Sequence, residues 1–378
     1  MSSPLFHLTG LSGNELYCLH LKGLKPQGVF VGNSVQSLGV LRGVRAAFSG
    51  LVGGEVPDIT RIIHEGRAAA FDRLVAEAKA EGVSGLVGVS SDLRDLAGNT
   101  EFLFMGSGVQ AQSSLPFFSS AGSAQELYCH MDAGYAPLSH VFGNIAYSVG
   151  LGRGIIGNLK TLVRGEIREF SDVFNTTRHQ AIERLVDQAR AAQANAVVGI
   201  RTHVLRFAGV HEMYMVGTAA RHDTLPILAG VPIVTSDLTG EELWSLTRMG
   251  LAPIKLLIST SVYSLGMVGG VMAAFRGLVK GEIPELTKLI YDAREEVFGR
   301  LEREAKALQA EGVVGIKTYV IELGSGLIEI FAVGTAIRKV DGLATQTEAL
   351  PAQAIIRDRD TWVDGDLSFD PTTLRAGE

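Results

Sequence analysis

The first residues to ask about chemistry are two thiols. Cys18 and Cys129 are the only cysteines among 378 residues, and each follows a tyrosine, as Tyr17-Cys18 and Tyr128-Cys129. A thiolate beside an imidazole is a donor set for a soft metal ion. If ELYCLHLKGL (15–24) is a strand, Cys18 and His20 stand two residues apart and share a face. The candidate metal ligands are therefore Cys18, Cys129 and His20, and the implied cofactor is a soft metal. After Cys129 the histidine is adjacent, as His130, and would face the other way. One or two donors cannot close a site, so several such segments would have to converge. The other open reading is a pair of small, buried, apolar residues.

Other chemistry finds little to stand on. There is no HExxH, no CxxC, no G-x-S-x-G elbow and no Walker loop. The glycine-rich LVGGE lacks the lysine of a phosphate-binding loop. No catalytic residue is nominated, and the expectation is a protein that is not an enzyme.

The elements that would position these residues are written three times. The stretch Glu55–Val89 recurs as Glu166–Ile200 and again as Glu282–Ile316. Val87, Val198 and Val314 stand 111 and then 116 positions apart. The same offsets carry Glu15-Leu16-Tyr17 onto Glu126-Leu127-Tyr128 and Glu242-Leu243-Trp244. The chain is thus one module of about a hundred residues in three copies. The expected bounds are 1–112, 113–223 and 224–340. Residues 341–378 form a tail that is disordered or docks Ala354-Ile355-Ile356 as one more strand.

Within a module the periodicities change from two to 3.6. Ile59, Ile62, Ile63, Ala70, Phe71, Leu74, Val75 and Ala78 make a stripe at three- and four-residue spacing, which predicts a helix over 59–80. Asp58 is its candidate N-cap and Gly82 its stop. VSGLVGVSSDLRDL (83–96) and EFLFMGSGVQAQ (101–112), either side of Ala97-Gly98-Asn99-Thr100, predict a hairpin. Residues 37–54 have helical length. The order is β, β, helix, helix, β, β, with apolar junctions such as Leu115–Phe118 acting as each module's opening strand. The fold class is α+β, a small antiparallel sheet covered by helices.

Comparing the copies separates what the module needs from what one copy happens to carry. A pair of glycines four apart is kept in all three: Gly39 with Gly43, Gly150 with Gly154, and Gly266 with Gly270. So are an acidic residue (Glu55, Glu166, Glu282) and an arginine in the long helix (Arg67, Arg178, Arg294). Small residues four apart let another backbone approach closely, within a module or between modules. The glutamate and arginine could pair at such a seam; solvated helix charges are the alternative. The histidines are not repeated, and the position of Cys18 and Cys129 is Ser245 in the third copy.

Composition narrows the class. A formal charge of -6 with both signs interspersed and no basic stripe argues against a nucleic-acid partner. Two cysteines and no evident secretory signal point to a reducing, cytoplasmic setting. Leu256–Phe275 runs twenty residues without a charge, long enough to span a membrane. Its counterparts hold Arg42, Arg45, His140, Arg153 and Lys160, so a buried interface or a pore-lining segment fits better. Membrane association stays open but is not favoured.

With these residues in view the chain resembles the YbjQ-like family. The likeness rests on Tyr17-Cys18, Val52-Gly53-Gly54, the Arg67–Phe71–Leu74 helix, Val87-Gly88-Val89 and the closing Gly106-Ser107-Gly108. It is cleaner at Val197-Val198-Gly199-Ile200 with Gly217-Thr218-Ala219, and at Val313-Val314-Gly315-Ile316 with Gly334-Thr335-Ala336. The resemblance implies a dodecin-like α+β module that assembles into pentameric rings, in a family labelled heavy-metal-binding. Three modules cannot close a five-module ring, so chains would stack rings or share them in a cage. The expectation is a non-enzymatic homo-oligomer, with a lumen or pore. The alternatives are a metal- or small-ligand-binding protein using Cys18 and Cys129, and a membrane-associated scaffold.

Overall fold

The structure, a computed structural model, describes residues 8–37, 54–96, 99–112, 115–148, 165–207, 210–225, 232–264, 284–324 and 327–351. The first module comprises α1 (Gly13–Leu21), β1 (Leu24–Ser37), β2 (Gly54–Glu55), α2 (Pro57–Ala80), β3 (Gly85–Leu96) and β4 (Asn99–Ala111). The second comprises β5 (Phe118–Ser119), α3 (Ala124–Asp132), β6 (Ala136–Ser148), β7 (Gly165–Glu166), α4 (Arg168–Ala191), β8 (Ala196–Phe207) and β9 (Val210–Arg221). The third comprises β10 (Val234–Thr235), α5 (Gly240–Arg248), β11 (Leu251–Ser264), α6 (Pro284–Ala307), β12 (Gly312–Gly324) and β13 (Leu327–Lys339). This is an α+β fold in three copies.

Each long helix forms for the reason its stripe predicts. Ile59, Ile63, Ala70, Leu74 and Ala78 of α2 are buried against β1 and β4, with Phe30, Phe102 and Phe104 beneath them. The helix crosses the strand where there is no side chain. A Cβ on Gly32 would stand 2.1 Å from the Ala70 carbonyl oxygen, and one on Gly143 2.0 Å from that of Ala181. Asp58 is not the N-cap. Pro57 opens the helix and Val56 occupies the cap with no side-chain bond; Asp58 lies in the first turn, where its charge still favours the dipole.

The largest revision concerns residues 15–24. They form α1 and the start of β1, not a strand throughout. Ser12 accepts from the Glu15 amide and Glu15 accepts in return from the Ser12 amide, a capping box repeated as Ser123 with Glu126 and Thr239 with Glu242. Two residues apart on a helix lie roughly 200° apart, so Cys18 and His20 do not share a face. Cys18 is buried and His20 exposed.

The sheets interlock along the chain. The first has the order β1-β4-β3-β5, the second β10-β8-β9-β6-β2 and the third β12-β13-β11-β7. Every sheet therefore borrows a two-residue strand from a neighbouring module. β5 adds parallel to β3, and β10 parallel to β8. β2 adds antiparallel to β6, and β7 antiparallel to β11. Phe118 and Val234 are thus strand residues, as the junctions predict, but they pair with the module before. The glycines of the repeated Val-Gly-Val/Ile motif have positive φ (Gly88 64°, Gly199 61°, Gly315 65°) and sit at the bulges of β3, β8 and β12.

No described helix is long and apolar enough to cross a membrane. Of the uncharged stretch, Leu256–Ser264 belongs to β11 and the rest lies outside the described residues. The glycine pairs expected to let a second backbone approach also lie outside them: Gly39 and Gly43, Gly150 and Gly154, Gly266 and Gly270. The close approaches that the structure does describe fall instead on strand glycines, Gly32 and Gly143, which the comparison of copies passed over. Glu282, residues 38–53 and residues 352–378 of the tail are likewise outside the described residues.

Candidate functional site

What the repeated residues build is a seam between modules, used twice. At the first seam the N–H of Val56 donates to the Ala146 carbonyl at 2.8 Å, joining the start of α2 to β6. One turn on, Thr60 Oγ1 accepts from the Ala146 amide at 2.9 Å. At the second seam Ile167 donates to the Val262 carbonyl at 2.8 Å, and Ser171 Oγ accepts from the Val262 amide at 2.9 Å. A hydroxyl in the first helical turn thus replaces a conventional cap and ties each helix to the next module's strand.

Deeper in each seam lies an ion pair. Arg67 of α2 reaches Glu212 of β9 at 3.0 Å; both side chains are almost wholly buried. Its other terminal nitrogen donates to Ser91 at 2.7 Å, and the guanidinium carbon lies 3.9 Å from the centre of the Tyr214 ring. Arg178 of α4 grips both oxygens of Glu329 on β13, at 2.7 Å from Nη2 and 2.9 Å from Nε, and donates to Tyr147 at 2.8 Å. Burial would lower each guanidinium, but the facing glutamate outweighs it and holds both arginines above their ordinary value. Neither guanidinium gives up its proton at any accessible pH.

A second pair rims each seam. Glu55 accepts from Arg184 at 2.6 Å, and Arg184 also donates to the Asn144 carbonyl at 2.8 Å. Glu166 accepts from Arg300, which donates to the Thr260 carbonyl at 2.7 Å. In the first two copies the shared glutamate and arginine are therefore not partners of each other. Each has a partner in the following module: Arg67 takes Glu212 and Glu55 takes Arg184.

The short helices meet at Asp132, at the end of α3. Its buried carboxylate accepts from Lys22 at 2.8 Å, from the Trp244 indole at 2.7 Å and from Thr347 at 2.8 Å. Burial pushes this acid up, but those hydrogen bonds outweigh it and hold it below the ordinary carboxylate range. One side chain thereby fastens all three modules and the segment after the third.

Cys18 and Cys129 lie on α1 and α3, both buried. Burial pushes the Cys129 thiol up to about 12, helped by Glu241, and raises Cys18 in the same direction. Among the described residues no group of three or more His, Cys, Asp and Glu stands close enough to hold a metal ion. Gly240 enters α5 against this surface: a Cβ there would meet Glu126 Cα at 2.8 Å and Cys129 Cβ at 3.0 Å. What Cys129 visibly does is leave room for the next helix.

The glutamates Glu101, Glu212 and Glu329, and the arginines Arg73, Arg184 and Arg300, recur at the same module positions. Residue comparison alone could have found them. The hairpin of the third module carries one extra residue, so Glu212 and Glu329 stand 117 apart instead of 116, which hides the match.

The geometry defines a tandem array of α+β modules joined by repeated seams. The family model for YbjQ, described as "Putative heavy-metal-binding", matches residues 22–112, 135–223 and 252–340. The chain belongs to that family, three times over. It is similar to the Encapsulin nanocompartment protein Rv1762c of Mycobacterium tuberculosis, 28% identical over 239 residues, 61% of this chain and 89% of the relative. It is also similar to the UPF0145 protein SCO3412 of Streptomyces coelicolor, 47% identical over 83 residues, 22% of this chain and 78% of the relative. A UPF0145 protein of Thermosipho africanus is 39% identical over 85 residues, 22% of this chain and 79% of the relative. These last two align over the length of a single module.

Proposed function

We propose that the protein is a non-enzymatic, cytoplasmic assembly protein. Its YbjQ-like modules dock chain to chain into a homo-oligomer, a five-fold ring, stack or cage around a lumen. The observation that carries this reading is the repeated seam, in which a buried arginine and glutamate from successive modules meet twice in one chain. Desolvating a pair of charges is tolerated only where geometry is fixed, so the seam specifies one arrangement of module on module. A relative named as an encapsulin nanocompartment protein supports an assembling role. The interspersed charges and net -6 support a partner that is protein, with no nucleic acid.

Multi-angle light scattering tests the reading. The expected result is a particle of several times the 40.3 kDa chain mass, persisting at micromolar concentration without detergent. A monodisperse 40.3 kDa species would overturn it.

A further inference from the structure

Among the described residues, the two internal seams leave one half-seam open in the first module and one in the third. At each internal seam the preceding module offers its long helix, and the next module offers the outer face of its first strand. Among the described residues, the third module has such a helix without a following strand, and the first module such a strand face without a preceding helix.

The exposures follow this pattern position by position. On the strand side, Val35 is 48% exposed, while its copies Ala146 and Val262 are 0% exposed. Val31 and Met105 on the same face are also exposed, and their copies Phe142, Ile258, Val216 and Val333 are buried. On the other side, Ile316 of β12 is 47% exposed, while its copies Val89 and Ile200 are 3% and 2% exposed. Apolar side chains at one module position thus differ according to whether a neighbouring module covers them.

The polar groups are cut in the same way. Arg294 on α6 is the copy of Arg67 and Arg178, yet it is exposed and has no carboxylate partner among the described residues. Glu101 on β4 is the copy of Glu212 and Glu329, yet it is only half-buried and accepts from Asn33 in place of an arginine. Thr287 of α6, the copy of Thr60 and Ser171, is exposed, while both of those take a strand amide. Arg73 holds the Asn33 carbonyl as Arg184 holds that of Asn144, but no glutamate comes to it among the described residues. The short helices repeat the pattern. The cleft beside α5, lined by Leu238, Glu242, Ser245, Val314 and Gly315, presents the copies of Glu126, Cys129 and Gly199. In the second module Glu126 and Cys129 receive Gly240, whereas a Cβ on Gly13, its copy at the head of α1, would meet nothing within 4 Å.

We propose that the occupant of both open faces is a second copy of this chain, bound head to tail. The third module of one copy receives the first module of the next through the same seam used twice inside. Arg294 then pairs with Glu101 of the following copy, Thr287 takes the Val35 amide, and the α1 turn at Gly13 enters the cleft beside α5. This rests on the assembly reading above and specifies its contact. The contact is heterologous, so growth runs in one direction until it closes on itself, and a ring closed in this way holds whole chains, so that five-fold symmetry would mean five chains and not five modules.

Charge reversal tests the seam. Arg294→Glu and Glu101→Arg are surface changes in the isolated chain, and circular dichroism checks that each folds. Each variant alone brings like charges together and is expected to fall to the 40.3 kDa chain mass. Mixed in equal amounts, the two carry complementary pairs at both contacts and are expected to regain the wild-type mass, as is the double variant Arg294→Glu/Glu101→Arg. Wild-type mass in either single variant would overturn the seam while leaving self-assembly standing. So would a mixture that stays monomeric. A wild-type chain that is monomeric at micromolar concentration overturns both readings and assigns the open faces to some other partner.

Discussion

At the first seam Arg67 meets Glu212 through one oxygen, and the apolar patch one helical turn on, at Phe71, is aromatic. Phe71 and Phe104 from the first module surround His140 and Phe142 from the second, with ring centroids 5.0 to 6.2 Å apart. At the second seam Arg178 grips Glu329 through both oxygens, and the positions of His140 and Phe142 are Leu256 and Ile258. The backbone stitch, the first-turn hydroxyl and the rim pair are the same at both. Geometry is therefore carried by hydrogen bonds and charge, while the apolar filling is free to change provided that it fills the volume. From this difference the two seams are expected to be unequal in strength and in sensitivity to acid.

The largest effect is expected from Glu329→Ala. It strands a buried guanidinium and costs about 3–5 kcal/mol. Glu212→Ala is expected to cost less by about 1.5 kcal/mol, one charge-assisted hydrogen bond. Urea unfolding of both variants checks the order, and equal losses would show that the second grip adds nothing. Replacing both Arg178 and Glu329 by apolar residues should recover most of the loss, because no charge is then left buried.

A medium effect separates the seams by pH. Burial, and then the Arg67 charge, push His140 from an ordinary 6.5 down to about 3. The unfolded chain thus takes up a proton near pH 6.5 that the folded seam refuses until about pH 3. The stability this histidine contributes is full above 6.5 and falls as pH drops through that window, by up to about 1.4 kcal/mol per unit. His140→Leu, which copies Leu256, is expected to flatten this slope. Burial holds His130 at about 4, and it keeps a smaller share. An unchanged slope between about pH 6 and 4 would clear His140 of the acid sensitivity. The smallest effect belongs to the rim. Glu55→Gln breaks a pair that is partly exposed on both sides, and a loss below about 1 kcal/mol is expected in the same urea assay.

Some of this was legible before any coordinates. The triplication, the long helix and the hairpin follow from period and turn chemistry, because those signals extend over many residues and recur in every copy. The helix at Gly13–Leu21 did not, since a short apolar-rich stretch fits a strand as readily as a helix. Its capping box, Ser12 with Glu15, was the signal that decides, and it is repeated twice. Comparing the copies singled out Arg67 and Glu55 as residues the module needs. Which residue pairs with which was out of reach, because Glu212 lies 145 positions from Arg67 and only folding brings the two together. Cys18 and Cys129 stood out by rarity, yet both are buried thiols, and Cys129 lies where a neighbouring helix presses closest.

The central claim is that one seam serves between modules and between chains. A cryo-electron microscopy map of the assembled particle tests it most directly. The account predicts continuous density from the guanidinium of Arg294 in one chain to the carboxylate of Glu101 in the next, with Val35 and Ile316 covered. A particle whose chains meet elsewhere, leaving those four side chains in solvent, would contradict it.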